Sequence, residues 1–69
     1  LLEDINVWSE DWKIRISSEV ASAEVYTVAG QLVKRASNVN EITMDNSGIY
    51  VVKLIDTEGN QKACKIILN

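Results

Sequence analysis

Met44-Asp-Asn-Ser-Gly-Ile-Tyr-Val-Val-Lys-Leu-Ile55 is the stretch from which the rest of the chain can be placed. Asp45, Asn46 and Ser47 carry short polar side chains that bond their own backbone and favour tight turns. After Gly48 come β-branched and aromatic residues, which suit a pleated, half-buried surface. Side chains alternate along an extended strand, so Tyr50, Val52 and Leu54 share one face and Val51, Lys53 and Ile55 the other. The reading is a central strand entered through an acidic turn.

Downstream, Asp56-Thr-Glu-Gly-Asn60 has the composition of a five-residue hairpin loop. Gln61 to Leu68 then pairs back antiparallel, with Cys64, Ile66 and Leu68 inward. Upstream, Glu41 to Met44 reads as a short strand and Ser37 to Asn40 as a loop. Residues 23–36 form a hairpin that turns at Ala29-Gly-Gln31, with Gly30 free to take positive φ. Ser17 to Ser22 is a polar connection. Trp12-Lys-Ile-Arg-Ile-Ser17 alternates without a fault, placing Trp12, Ile14 and Ile16 inward and Lys13, Arg15 and Ser17 outward. Ile5-Asn-Val7 reads as an edge strand, interrupted by the turn-type residues Ser9 to Asp11.

The sum is about seven short strands, at the turn spacing of a sandwich or barrel, with no sustained helical period. An acidic turn, a glycine and a tyrosine entering a late strand are also similar to the tyrosine corner of immunoglobulin-like sandwiches. There the ring enters the core and the hydroxyl bonds back to the preceding loop; an ordinary buried strand carrying a tyrosine fits the same residues. The expected fold is all-β, a small immunoglobulin-like antiparallel β-sandwich of Greek-key type. Its core draws on Trp12, Ile14, Ile16, Val25, Leu32, Ile42, Tyr50, Val52, Leu54, Cys64 and Ile66.

At 69 residues the chain makes one domain, residues 1–69. So short a chain buries only about 60% of its unfolded surface. One cysteine and no histidine leave it without a disulfide or a zinc site as a staple. Steadying by a neighbouring domain or by a second copy is the corresponding expectation. A net charge of −3 and a pI near 4.7 argue against nucleic acid as a partner. Apolar runs fall well short of the roughly 20 residues of a membrane span, so no membrane insertion is expected. Leu1-Leu-Glu-Asp4 lacks the basic start and apolar stretch of a signal peptide. The chain thus reads as a piece of a longer protein whose export signal lies upstream.

The inventory speaks against catalysis. Without histidine neither a Ser-His-Asp nor a Cys-His arrangement can be built. Cys64 lies among inward-facing aliphatics, where burial disfavours a reactive thiolate. The neighbouring acids Glu3/Asp4 and Glu10/Asp11 point apart on extended chain. Asp56 to Asn60 offers hard oxygens but lacks the length and closing glutamate of a calcium loop. No cofactor is implied. Tyr26, Val33, Val51 and Ile67 fall on the solvent side of their strands, either as a contiguous apolar contact patch or as scattered exposure. Lys62 and Lys65 serve solubility at the least.

Three segments in order carry a family resemblance. Ala23-Glu-Val-Tyr-Thr-Val-Ala-Gly-Gln-Leu-Val33 is similar to the "v-x-i-y-n-x-x-G-q-l-v" segment of C-terminal sorting domains of the type IX secretion system. Gly48-Ile-Tyr-Val-Val52 resembles that family's "G-i-Y-i-v" strand, and Gln61-Lys-Ala-Cys-Lys-Ile-Ile-Leu-Asn69 its closing "k-k-x-x-K-i-i-v". The chain departs from the family at Ser9-Glu-Asp11, where a Pro-Asn-Pro-like turn is usual, and at Asp45, where a leucine is usual. The resemblance implies an address rather than an active site. Such domains end cargo proteins of Gram-negative Bacteroidota that enter the periplasm by an ordinary signal. They are recognised by the outer-membrane translocon and usually removed by a sortase-like surface protease, leaving the cargo at the cell surface or outside the cell. Carried over by position, Gly30, Gly48, Tyr50 and Lys65 are the hallmark residues, with Lys62, Ile66, Ile67 and Leu68 completing the closing segment. The other reading is a structural immunoglobulin-like module that stabilises its parent protein or self-associates.

Overall fold

The structure, a computed structural model, describes residues 2–68, the Glu3 side chain excepted. Leu1, which begins Leu1-Leu-Glu-Asp4, and Asn69, which ends the segment from Gln61, lie outside the described residues, and so does half of the Glu3/Asp4 pair. A 3-10 turn, Leu2–Asp4, precedes five strands: β1 (Val7–Glu10), β2 (Lys13–Thr27), β3 (Leu32–Thr43), β4 (Gly48–Ile55) and β5 (Gln61–Leu68). Every pairing is antiparallel, and all five strands belong to one sheet. The order is β1-β2-β4-β5, with β3 paired to β2. β1 takes the first half of one edge of β2 and β4 the second half, while β3 follows the opposite edge.

This sheet cannot be flat. A straight strand of the 15 residues in β2 would run about 50 Å, yet the domain measures 31 × 23 × 18 Å. The bend lies where Arg15 opposite Glu41 gives way to Val20 opposite Val39, so that residues 16–19 of β2 face Asn40 alone. Extra residues on one strand kink the ladder and tighten its twist. Asn38 on β3 supports the bend with a φ of 54°, a left-handed value that asparagine tolerates. The fold-over is complete enough for Lys34 Nζ, near the start of β3, to donate to the carbonyl of Thr43 at its end. Nine residues of straight strand would hold those positions about 30 Å apart. The curl also brings the two ends of the strand order together, since Ser9 Oγ on β1 donates to the Ile67 carbonyl on β5 at 2.9 Å.

Inside the curl lies a single apolar core. Ile14, Ile16, Val20, Ala23 and Val25 come from β2, Ile42 from β3, Tyr50, Val52 and Leu54 from β4, and Ile66 and Leu68 from β5. Leu2 and Met44 close it. On β2 the inward positions pass from even to odd numbers between Val20 and Ala23, which keeps the apolar face inside around the bend. Burying a side chain such as Leu54 or Val52 contributes about 1.5–3 kcal/mol, and with so few of them each matters.

Several sequence expectations are corrected. Five strands replace seven, because 17–22 and 37–40 are not loops: Val20 pairs with Val39 and Ser22 with Ser37. Their polar residues face outward, and the ladder with β3 resumes at Val20 beyond the bulge. The first strand lies at Val7–Glu10 rather than at residues 5–7, so Ser9 and Glu10 are strand and only Asp11 and Trp12 turn. Trp12 is not in the core. It sits in the turn with φ 67° and is 49% exposed, because the alternation that sends Ile14 and Ile16 inward stops at Lys13. Leu32 is 47% exposed, since a register slip sets it opposite outward-facing Tyr26. Cys64 lies opposite Val52 on the inner face but is only half-buried, unlike Ile66 and Leu68 further along the same strand.

Candidate functional site

Asp45, Asn46 and Ser47 carry the chain from β3 into β4. The Tyr50 ring is buried at this corner, and its hydroxyl donates to the Asn46 carbonyl at 3.1 Å. That bond satisfies the buried phenol and pins the loop to the strand. Gly48 has a φ of 149°, which residues with a Cβ rarely adopt. A Cβ there would lie 3.6 Å from the Tyr50 ring and hydroxyl, an ordinary contact, so the need for glycine comes from the backbone and not from space. The hollow beside the corner, about 60 Å³ between Val33, Lys34, Met44, Asp45, Asn46 and Tyr50, has room for a few waters. Gly30 has φ 92° and open space where a Cβ would go. Its N–H donates to the Thr27 carbonyl at 2.9 Å and closes the β2–β3 turn.

The C-terminal segment divides by face. Ile66 and Leu68 are buried and anchor β5. Lys65 and Ile67 are exposed on the outer face, where Lys65 pairs with Val51, Val51 with Tyr26, and Ile67 with Ile49. Ile49 and Ile67 are 45% and 59% exposed, and Leu32 extends the same row beyond Tyr26. Tyr26, Val51 and Ile67 are thus brought together, whereas Val33 instead lines the hollow beside Tyr50. The sequence reading missed Ile49, although its alternation with Tyr50 already set it outward. Lys62 is half-buried and donates from Nζ to the Ile5 carbonyl at 2.6 Å, bracing the N-terminal segment against β5.

Glu24 also went unnoticed in the sequence. It faces outward on the central strand, between Arg35 of β3 and Lys53 of β4, and is 9% exposed. Its carboxylate accepts from the Tyr26 hydroxyl at 2.7 Å and from Arg35 Nε at 3.0 Å. The Tyr26 hydrogen bond, with the charges of Arg35 and Lys53, holds the Glu24 carboxyl below its ordinary value against the opposing effect of desolvation. The same bond raises the Tyr26 phenol. Arg35 and Lys53 make the surround of the apolar row basic in a chain that is acidic overall.

The Asp56 carboxylate is taken up by its own loop. It accepts from the N–H groups of Glu58 and Asn60 and from Asn60 Nδ2, at 2.8–3.0 Å. These bonds, led by that from the Asn60 side chain, hold it below its ordinary value. Among the described residues no group of three or more His, Cys, Asp or Glu is placed to hold a metal. Nor, among the described residues, is any helix long and apolar enough to cross a membrane. No family model, curated protein or solved structure matches the chain.

Proposed function

We propose that the chain is a C-terminal sorting signal of the type IX secretion system, which directs its cargo through the outer-membrane translocon. The support is the order of the three quoted segments together with one geometric observation. β5 is held from inside by Ile66 and Leu68 while Lys65 and Ile67 stand free on the outer face beside Val51 and Ile49. A strand anchored on one face and open on the other suits recognition by a partner at no cost to the core. On this reading Gly30, Gly48 and Tyr50 keep the fold, Lys62 braces the N-terminal segment, and Lys65 and Ile67 meet the translocon. The bent β2–β3 hairpin supplies both layers of a reduced immunoglobulin-like sandwich. A surface protease then removes the domain, and the cargo passes from periplasm to cell surface or medium.

The row Leu32, Tyr26, Val51, Ile49 and Ile67 also favours a second reading, a structural module that packs on its parent protein or on a second copy. Export of a periplasm-directed reporter fused to residues 1–69, in a host carrying the type IX system, separates the two. Surface display of the fusion supports sorting. Retention in the periplasm, while a control cargo is exported, removes the sorting reading and leaves the structural module.

A further inference from the structure

We propose that the tip of the β1–β2 hairpin binds a cationic side chain, lysine or arginine, of a partner protein. Asp11 and Trp12 form the two-residue loop between the paired Glu10 and Lys13. Their φ angles, 50° and 67°, are both positive, as a type I′ hairpin turn requires. Asn-Gly is the low-cost sequence for such a turn, and a bulky side chain at positive φ is a strained choice. The Trp12 carbonyl accepts the Met44 N–H at 2.9 Å, which holds the turn against the end of β3. Packing does not account for the indole, since Trp12 is half open to solvent.

Beside it is a hollow of about 190 Å³ walled by Ser9, Glu10, Asp11, Trp12 and Leu68. That is smaller than the roughly 300 Å³ at which small-molecule sites begin, and it suits the end of one side chain. Its polar side chains offer acceptors. Two are carboxylates, and the Ser9 hydroxyl already donates to the Ile67 carbonyl. A polyol hydroxyl can donate to those carboxylates but carries no charge to match theirs, and an anion would be repelled. An ammonium or guanidinium group only donates and matches both carboxylates in charge, and the indole that walls the hollow offers cation–π attraction. Glu10 already has Arg15 at 3.6 Å, a guanidinium shared with Glu41 at the same distance. Asp11 makes no hydrogen bond or ion pair among the described residues, so its charge is open to a ligand. None of this rests on the sorting reading.

The test is titration of the full chain with N-acetyl-arginine amide and N-acetyl-lysine amide, followed by NMR at the two indole N–H signals, which Trp8→Phe assigns. A saturable shift of Trp12 and of the Asp11 amide, with Trp8 unmoved, is expected. Asp11→Asn should weaken binding about two- to fivefold, the range of an exposed ion pair. Trp12→Gly, which suits positive φ, should abolish binding and keep the dispersed spectrum of the folded chain. The uncharged N-acetyl-citrulline amide should give no saturable shift. Shifts that never saturate with either cation, equal binding of the citrulline compound, or saturation by a methyl glycoside instead would each overturn the proposal.

Discussion

The Tyr50 hydroxyl donates to a carbonyl four residues back, and its ring lies against the glycine that opens β4. Tyr50→Phe keeps the ring and leaves the Asn46 carbonyl without that donor, at a cost of about 1 kcal/mol. For a domain of this size the loss appears as a drop of about 4–8 °C in the thermal midpoint, read by circular dichroism. Gly48→Val should cost more, about 1–3 kcal/mol, because the strain lies in the backbone and no neighbour can yield to relieve it. Glu24 sets the response to pH. Its carboxyl is depressed in the fold, so the stability it contributes is present above its ordinary value of 4.5 and is lost as pH falls through the lower folded value. Asp56 is depressed too and acts in the same acid window. Tyr26 is raised above its ordinary 10.0, so its share is lost as pH climbs through the higher folded value. Urea midpoints between pH 2 and 7 should therefore fall in acid. Glu24→Gln should flatten that fall in part and Glu24→Gln with Asp56→Asn further; an unchanged slope in the double variant would contradict these assignments.

Among the strands, β2 is flanked on both sides over residues 13–15 and 22–26 and β4 over residues 50–55. Native-state hydrogen exchange should be slowest there and faster in β3 and β5, each of which has one paired edge. What the sequence disclosed about these elements follows the range of the forces that build them. The 56–60 hairpin was legible because Asp56, Gly59 and Asn60 form their turn from contacts within five residues. The alternation from Lys13 to Ser17 likewise placed Ile14 and Ile16 inward, because period-two burial is written locally. By contrast, 17–22 and 37–40 have loop composition and are strand, since each is held by the other across the sheet and not by its own propensity. Trp12 was misplaced for a related reason. A two-residue turn at positive φ asks for asparagine and glycine, and nothing in Asp-Trp announces it. Glu24 was hidden because its partners Arg35 and Lys53 arrive from two other strands.

At the scale of the molecule, one curled sheet encloses a small core and turns an apolar row with a basic surround outward. Under the proposed sorting function the inner face of β5, with Ile66 and Leu68 buried, serves folding and the outer face, with Lys65 and Ile67 exposed, meets the translocon, so the two roles can be separated by mutation. Gly48, Tyr50, Ile66 and Leu68 should affect export through stability. Lys65 and Ile67 should affect it without touching stability, since exposed substitutions away from special features usually change it by no more than about 0.5 kcal/mol. The most direct measurement is surface display of a reporter carrying residues 1–69 with Lys65→Glu and Ile67→Ser together, in a host with an active type IX system. Melting of the purified domain is recorded alongside. The account predicts that display falls at least about tenfold, equivalent to roughly 1.4 kcal/mol of lost recognition, while the thermal midpoint holds. Display at the unsubstituted level, from a domain that is equally well folded, would show that the outer face of β5 is not what the partner reads.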